Sequence, residues 1–570
     1  MLAAVLLTAT ASSCSSFLDI NNNPNSLTSD TPPTPALMLA QALNTTANNY
    51  SVSYNSYANF AVDYWGKSGV VSGYAEERTY NYTSNYYANL WSATYDNLND
   101  YQYIQTQGTN GNYAYHAAVA RIMKAYNYLL LVDQYGNIPY TQALKGRDNT
   151  APTYDRAETI YDDLLLQLQG AITDINATSA KATAAGTLNT IVPLGPEDVV
   201  FNGGTAALLN WKRFANSLQL RILLRESQTK DAARNASVAT KLAALQTAAD
   251  GFITADVAVN PGYLQSSGQQ NPFFTTYGLT AAGGSSGTRY YQIPTRYVLN
   301  QYVGNKDPRV SQLYAAVSAS QTANNPSRRI TATYVGATTT GATASTVTTG
   351  IYSGTNAGEP DPPGLSDGAV ASFMRIGNIA PSYGGPLTGA GILKGLNAPT
   401  PLMLLSEHLF NRAEAEARSL FTGGDAAATT NYNSGVLSSF LTFYRTAATP
   451  PGTVAAASPT ATPGYPQYTV YMAANTTNPL VTYSAATSTA AKISAILFQK
   501  YLAENSIAST EALADYRRTG QPAIMISVDP QAQARGKVPY RLFYPQSELN
   551  TNSNNVPQGV TQYSPIFWQN

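Results

Sequence analysis

The sequence predicts a mostly α-helical protein, in which helical hairpins form a scaffold and long loops or small β insertions lie on one face. Amphipathic segments with apolar residues three and four positions apart recur along the chain, and most come as neighbouring pairs with short connections. Between the pairs lie stretches rich in Gly, Ser, Thr and Tyr that are too long to be plain connections.

The clearest helix is predicted over residues 113–136. Its apolar residues form one stripe at helical spacing: Ala118, Ile122, Ala125, Leu129 and Val132. Gly136 and the nearby Pro139 end the pattern. The same periodicity predicts further helices over residues 36–50, 156–175, about 205–227, 402–420, 490–507 and 509–518.

The predicted insertions are residues 51–85, 260–295, 331–400 and 448–488. Loops that a rigid scaffold holds often carry function, so these stretches are the first place to look for a site. The Thr-rich run at 332–350 is compatible with a β-hairpin or with a mobile segment.

The N-terminus has the pattern of a lipoprotein signal. The apolar run LAAVLL is followed by small residues and then by Cys14, the one cysteine in the chain. We therefore expect a signal peptide over 1–13, a lipidated tether over 14–35 and a single domain over 36–570. The usual basic residues before the apolar run are missing. No stretch has the ~18 consecutive apolar residues of a membrane-spanning helix.

The composition indicates a polar surface with little charge. Charged residues make up 12% of the chain and the formal net charge is zero, so nucleic acid is an unsuitable partner. The chain holds 41 tyrosines, and tyrosine combines an apolar ring with a hydroxyl at its edge. Such a composition suits neutral polar ligands such as sugars, although most tyrosines in a protein of this size only pack.

No catalytic or metal-binding set is readable in the sequence. GGSSG at 283–287 fits G-x-S-x-G around Ser285, but its flanks are not the strand and helix that a nucleophile elbow requires. The chain has two histidines, His116 and His408, and both fall in predicted helices. They are too few for a histidine-rich zinc site and are interpreted as helix-surface or core residues. No cofactor is predicted; a structural cation is not readable.

Two pairs of loop carboxylates are the candidates for glycoside hydrolysis. They are Asp361 with Asp367 and Glu76 with Glu77. Their spacing does not distinguish them from solvated loop acids, so the favoured interpretation is a binding protein and not an enzyme.

The densest aromatic and neutral-polar stretch is residues 64–91, and it is the predicted ligand site. The candidate ligand-binding residues there are Trp65, Tyr74, Arg78, Tyr80 and Tyr82. A second aromatic loop at 271–294 is predicted to form the opposite wall through Tyr277, Arg289, Tyr290 and Tyr291. The alternative is inward packing, which is the favoured interpretation for Tyr86, Tyr87, Leu90 and Trp91. Replacing Trp65 by alanine is expected to weaken binding without unfolding the protein.

Several motifs, in order along the chain, resemble the SusD/RagB family of outer-membrane nutrient-binding lipoproteins. FLDINNNPN follows Cys14, and ARIMKAYNYLLLVDQYGNIPYTQAL spans 120–144. NKDPRV at 305–310, DYRRTGQP at 515–522 and RLFYPQSELNTN at 541–552 follow in the family's order. The motif residues themselves are interpreted as structural, and Arg517 and Arg518 are expected to make ion pairs or to cap carbonyl groups.

The resemblance implies a tetratricopeptide-like helical scaffold and a location on the outer membrane, anchored by the lipid on Cys14 and exposed at the cell surface. It implies a protein that captures oligosaccharides and acts as a lid for a SusC-type TonB-dependent β-barrel transporter, without being an enzyme. The alternatives are the same role for peptides or another nutrient and, less favoured, a surface glycosidase or an adhesive protein.

Overall fold

The structure is a computed structural model, and it describes residues 32–185, 190–318, 329–336, 346–365, 371–376, 391–445 and 462–569. Cys14, the predicted signal peptide (1–13) and most of the predicted tether (14–35) lie outside these residues. The helices of the first half are α1 (Pro35–Asn48), α2 (Asn55–Ala61), α3 (Ala75–Thr79), α4 (Asn89–Asn110), α5 (Ala114–Tyr135), α6 (Ala157–Ala185), α7 (Gly204–Arg225), α8 (Ala232–Gln246) and α9 (Pro272–Tyr277).

The second half continues the helical pattern. Its helices are α10 (Arg296–Gly304), α11 (Val310–Leu313), α12 (Leu405–Ala417), α13 (Gly424–Tyr444), α14 (Tyr465–Ala473), α15 (Thr489–Glu504), α16 (Ser509–Thr519), α17 (Pro530–Arg535) and α18 (Gln546–Thr551). The strands are β1 (Trp65–Lys67), β2 (Ile138–Pro139), β3 (Tyr154–Asp155), β4 (Val257–Val259), β5 (Gln292–Pro294), β6 (Arg329–Gly336), β7 (Thr346–Ser353) and β8 (Thr400–Met403).

Consecutive helices pack on one another to form the scaffold. Helix α4 packs on α5, α5 on α6, and α6 on α7, while α12 packs on both α13 and α15. Helix α7 contacts α12 and α16 and so joins the two halves. The predicted mostly α-helical fold of stacked hairpins is confirmed. None of the helices in the described ranges is long and apolar enough to cross a membrane.

The strands form four antiparallel pairs: β1 with β5, β2 with β3, β4 with β8, and β6 with β7. Three of the pairs lie in or next to the stretches predicted as insertions, and β2 with β3 lies in the connection between α5 and α6. The β-hairpin interpretation of 332–350 is supported by β6 and β7, which pair from Arg329 opposite Ser353 to Gly336 opposite Thr346. The prediction of small β insertions between helices is therefore confirmed.

The prediction of a loop over 51–85 is wrong in its first part. A π-helical turn at Asn49–Tyr54 carries α1 directly into α2, so the chain stays helical to Ala61. The buried face of this segment includes Tyr50, Tyr54 and Tyr57. The pattern is helical, but tyrosines occupy the positions that aliphatic residues fill in the other helices. Helices α8, α13 and α14 were also not predicted.

The two histidines are core residues. His116 in α5 and His408 in α12 are both buried, as one of the two interpretations expected. His116 Nε2 lies 2.7 Å from Glu197 Oε1. Burial lowers the pKa of His408 to about 3, with the positive charges of Arg412 and Arg221 acting in the same direction. Neither histidine lies beside Ser285, whose Oγ donates to Tyr290 Oη at 3.3 Å.

Candidate functional site

The two aromatic stretches predicted as a ligand site are brought together by β1 and β5. In this antiparallel pair Trp65 lies opposite Pro294 and Lys67 lies opposite Gln292. The pairing continues one residue further, where the Ser68 amide donates to the Tyr291 carbonyl at 2.8 Å. The stretches are therefore hydrogen-bonded neighbours and not two walls that face each other across an open cleft.

A third segment closes over this strand pair at Gly66. A Cβ atom added to Gly66 would lie 2.3 Å from Thr355 Cγ2, so only glycine allows this close approach. The Thr355 amide donates to the Pro294 carbonyl at 3.1 Å. Chain segments around residues 65, 294 and 355 thus form one packed unit.

Trp65 is a core residue, which corrects the expectation that it stacks on a ligand. Its side chain is 1% exposed, and its Nε1 donates to Ser506 Oγ at 2.8 Å. Its ring centroid lies 5.1 Å from that of Tyr277 in an edge-to-face arrangement. The ring of Trp65 packs inside the protein and its N–H has a hydrogen-bond partner there, so Trp65 offers no face to solvent.

Three other predicted contact residues, Tyr80, Tyr82 and Tyr277, are also buried. Tyr80 Oη accepts from the Ser527 amide at 3.0 Å. The Tyr82 ring lies 4.4 Å from that of Tyr86. These rings pack the interior of the loop layer, so their predicted role as ligand contacts is not supported by their positions. The inward packing expected for Leu90 and Trp91 is confirmed, because both are buried.

Arg289 is likewise held inside the protein. Its Nη2 donates to the Met374 carbonyl at 2.7 Å, and its guanidinium carbon lies 5.3 Å from the centre of the Tyr290 ring. Burial lowers the pKa of Arg289, and the nearby Tyr290 opposes this effect. Arg289 therefore positions Tyr290 and does not reach solvent as a ligand donor.

Four residues of the strand pair and its surroundings keep accessible surface and are called here the loop rim: Lys67, Tyr74, Arg78 and Tyr291. Tyr74 Oη accepts from Gln292 Nε2 at 2.6 Å, and its ring packs on Phe60 at 4.8 Å. Arg78 is 40% exposed and pairs with Asp529 at 3.3 Å. Tyr290 is half-buried beside the rim. The rim presents two tyrosine rings, Tyr74 and Tyr291, together with the cations of Lys67 and Arg78.

Below the loop rim the space is nearly filled. The cavity lined by Phe60, Trp65, Tyr74 and the turn at 355–359 has a volume of about 20 Å³. This volume accommodates about one water molecule. A ligand at the loop rim would therefore lie on the surface, unless the segments around residues 65 and 355 separate.

The candidate carboxyl groups Glu76 and Glu77 belong to α3 and are both half-buried. Burial raises the pKa of Glu77 to about 7, and hydrogen bonds from its own backbone amide and from Tyr86 oppose this effect. Asp361 is exposed, and Asp367 lies outside the described residues. Within those residues no cluster of His, Cys, Asp or Glu could hold a metal ion.

Asp63, next to the strand pair, is predicted to make the protein less stable at alkaline pH. Burial raises the pKa of Asp63 to about 8, although the Met525 amide and the Thr295 hydroxyl favour the ionised form. The folded state therefore binds more protons than the unfolded state between about pH 4 and pH 8, and stability falls as the pH rises. Each pH unit in the middle of this window costs up to about 1.4 kcal/mol.

An Asp63→Asn variant is expected to melt at a higher temperature than the unaltered protein at pH 8 and at a similar temperature at pH 5. Asparagine keeps the acceptor for the Met525 amide and tolerates the positive φ of 61° at this position. Thermal denaturation at the two pH values measures the effect. An equal change in melting temperature at both values would show that Asp63 does not titrate in this window.

A second, larger cavity lies between α1 and the segment Pro261–Thr276. Its volume is about 640 Å³, and its lining includes Asn44, Asn48, Tyr263 and Gln270. We call it the amide cavity. The predicted ligand site does not include this cavity, because that prediction follows the density of aromatic residues. The available signal was the amide-rich end of α1, QALNTTANN, which has no aromatic residue.

The chain matches a protein-family model over residues 24–545. The family is SusD-like, described as starch-binding and associating with the outer membrane. No curated protein sequence matches the chain.

Solved structures share the fold. A SusD homologue from Bacteroides fragilis is 20% identical, with a TM-score of 0.66 and coverage of 94% of this chain and 99% of that one. A chitin-binding SusD homologue from Flavobacterium johnsoniae is 20% identical, with a TM-score of 0.62 and coverage of 93% and 98%. A structure named as a chitin-binding protein is 20% identical, with a TM-score of 0.64 and coverage of 94% and 100%.

Proposed function

Because the chain belongs to the SusD-like family of starch-binding proteins that associate with the outer membrane, we propose that it captures oligosaccharides there and delivers them, as a lid, to a SusC-type TonB-dependent transporter. The observation that carries this proposal is the family match, which spans residues 24–545 and therefore includes the helical scaffold and the loop layer together.

The loop rim is the proposed contact surface for the oligosaccharide. Its residues come from β1, α3 and the segment before β5, which the helical scaffold holds in place. A sugar ring offers C–H groups to the half-exposed ring of Tyr74, while its hydroxyl groups accept hydrogen bonds from Lys67 and Arg78. The four rim residues include no carboxylate, and binding without turnover is the proposed activity.

The proposed attachment to the membrane is through acyl chains on Cys14. Each methylene group of an acyl chain that is buried in the bilayer contributes about 0.8 kcal/mol to membrane binding, so several acyl chains suffice to hold a protein there. The residues from 14 to the start of α1 at Pro35 would then act as the tether. Exposure at the cell surface is part of the proposal.

One observation favours the alternative ligand, a peptide. A roomy cavity with polar groups is more typical of peptide capture than an open aromatic platform, and the amide cavity is much larger than the nearly filled space below the loop rim. Recovery of peptides that co-purify with the native protein would support this alternative.

An Arg78→Ala variant is expected to bind its oligosaccharide at least about tenfold more weakly, because a hydrogen bond to a charged donor contributes about 1.5–3 kcal/mol. The melting temperature should stay unchanged, since Asp529 keeps a hydrogen bond from the Gln531 amide at 2.9 Å. The measurement is calorimetry with the ligand found in a screen of plant, host and microbial oligosaccharides and a peptide pool.

The matched control is Arg156→Ala. Arg156 is 75% exposed and pairs with Glu158 at 3.1 Å, but it lies on the scaffold. Its replacement should leave binding unchanged. Equal affinities of the Arg78 variant and the unaltered protein would rule out the loop rim, and a screen with no oligosaccharide hit would contradict the proposed function.

A further inference from the structure

The amide cavity and the loop rim lie at different positions along the continuous helix formed by α1, the π-helical turn and α2. Asn48 contributes to the cavity at the end of α1, and Phe60 lies under the rim in α2. Phe60 follows Asn48 by twelve positions of continuous helix that includes the π-helical turn, a separation of roughly 18 Å at the α-helical rise of about 1.5 Å per residue. A small ligand in the cavity would therefore not touch the rim.

The lining of the cavity is uncharged and mixed in polarity. Amide and hydroxyl side chains line it together with Pro261, Leu264 and Pro272, and no Lys, Arg, Asp or Glu is among them. Some are already ordered by one another: Tyr263 Oη donates to Asn44 Oδ1 at 3.0 Å, and Gln41 Nε2 donates to Thr45 Oγ1 at 3.2 Å. Leu264, 58% exposed, adds an apolar surface to the lining.

Two polar groups of the lining lack a partner in the protein. Gln270 is 8% exposed, and its Nε2 has no hydrogen-bond partner. The hydroxyl of Thr275 is also buried without a partner. Buried donors without partners are uncommon in folded proteins, because the lost hydrogen bond to water is not replaced. Both residues belong to the lining of the cavity, but the two atoms have almost no accessible surface, so a ligand there would reach them only after a shift of neighbouring side chains.

We propose that the amide cavity is a second saccharide site, which takes one to three neutral sugar units. Each sugar hydroxyl donates and accepts, and side-chain amides beside hydroxyls offer both functions in return. The volume of about 640 Å³ lies within the range of small-molecule sites. An uncharged lining gives no counter-charge for the termini or charged side chains of a peptide. This inference rests on the proposed function for its ligand class.

The test compares two cavity variants with a control, in the full-length protein purified in detergent. Thr276→Trp fills the cavity, and Gln270→Leu removes the unpartnered amide while keeping similar bulk. Leu166→Trp is the control, because Leu166 is 65% exposed on α6 and far in sequence from the cavity. Calorimetry is done with trisaccharides of the malto, cello, xylo, manno and triacetylchito series.

Both cavity variants are expected to weaken at least one trisaccharide more than tenfold, or to lower the number of bound ligands by one, while Leu166→Trp does neither. Gln270→Leu should melt at the same or a higher temperature than the unaltered protein, since it removes a buried donor that has no partner. A purely structural role for Gln270 would instead lower the melting temperature and leave binding intact.

Three results would overturn the inference. If trisaccharide binding is lost in Arg78→Ala and unchanged in both cavity variants, the loop rim is the one saccharide site and the proposed function stands. If Thr276→Trp abolishes retention of peptides and not of saccharides, the cavity is a peptide site. If no trisaccharide binds the unaltered protein, the cavity is not a saccharide site, whatever the larger screen shows for the proposed function.

Discussion

A Trp65→Ala variant is expected to lose about 3–5 kcal/mol of unfolding free energy, the usual cost of removing a large aromatic side chain from a core. The ring packs against Phe60 and Tyr277. Its N–H joins β1 to Ser506 in the turn between α15 and α16. Removing the side chain therefore removes a contact between two parts of the chain that are far apart in sequence, β1 and the turn that contains Ser506. Urea denaturation measures the free energy, and calorimetry on the folded variant measures binding.

Trp65→Phe serves as the matched control for this prediction. Phenylalanine keeps most of the ring packing and removes the hydrogen bond to Ser506 Oγ, so a loss of about 1 kcal/mol is expected. If Trp65→Ala melts at the temperature of the unaltered protein and binding is lost, the sequence-based interpretation is right. In that case Trp65 contacts ligand and the loop layer opens around it.

The helical scaffold could be predicted where the buried stripe is aliphatic. Helix α5 follows the predicted segment 113–136 within one residue, because Ile122, Leu129 and Val132 form a clear stripe. The continuation through α2 was missed, because Tyr54 and Tyr57 occupy its buried positions. Tyrosine has no strong preference between core and surface, so its periodicity is a weak signal.

The location of the aromatic residues could not be predicted for a related reason. A tyrosine or tryptophan is buried when a partner for its polar group is available, and these partners come from distant positions. Tyr54 lies 2.9 Å from Thr94 Oγ1, and the Tyr64 hydroxyl donates to the Tyr501 carbonyl. No local pattern in the sequence reveals such pairs. The stretch 64–91, predicted as the ligand site because it is the densest in aromatic and neutral-polar residues, has most of its rings packed inward.

The expectation for Arg517 and Arg518 is confirmed. Arg517 Nη1 donates to the carbonyl groups of Asp133 and Tyr540. Arg518 makes two hydrogen bonds to Glu414, at 2.6 and 2.8 Å, and a third to Asp515 at 2.9 Å. These contacts join α16 to α12, and Lys500 of α15 pairs with Asp515 at 2.7 Å. The charged motif therefore connects helices, as the sequence predicts.

An Arg518→Ala variant is expected to lose about 3–5 kcal/mol of unfolding free energy at neutral pH, because it leaves a buried carboxylate without its main partner. Burial would raise the pKa of Glu414, but the guanidinium groups of Arg518 and Arg418 outweigh burial and hold this pKa well below its usual range. The stabilisation that ionised Glu414 gives the folded state is present above the pKa that Glu414 has in the unfolded chain, and it is lost as the pH falls. The loss in the variant should therefore be smaller at pH 4.5 than at pH 7.5, as urea denaturation at both values would measure.

Arg418→Ala is the matched control, because Arg418 shares the same partner at 2.7 Å but is partly exposed. Its loss should be about 1 kcal/mol or less. A double variant, Arg518→Met with Glu414→Leu, separates two explanations for the larger loss. If the cost comes from an unpaired buried charge, the double variant should be more stable than Arg518→Ala, since apolar groups of similar volume often replace a buried pair at little cost. If the double variant is as unstable as Arg518→Ala, the cost does not come from leaving the Glu414 carboxylate buried and unpaired. The hydrogen bonds between Arg518 and Glu414 would then be what holds α12 and α16 together.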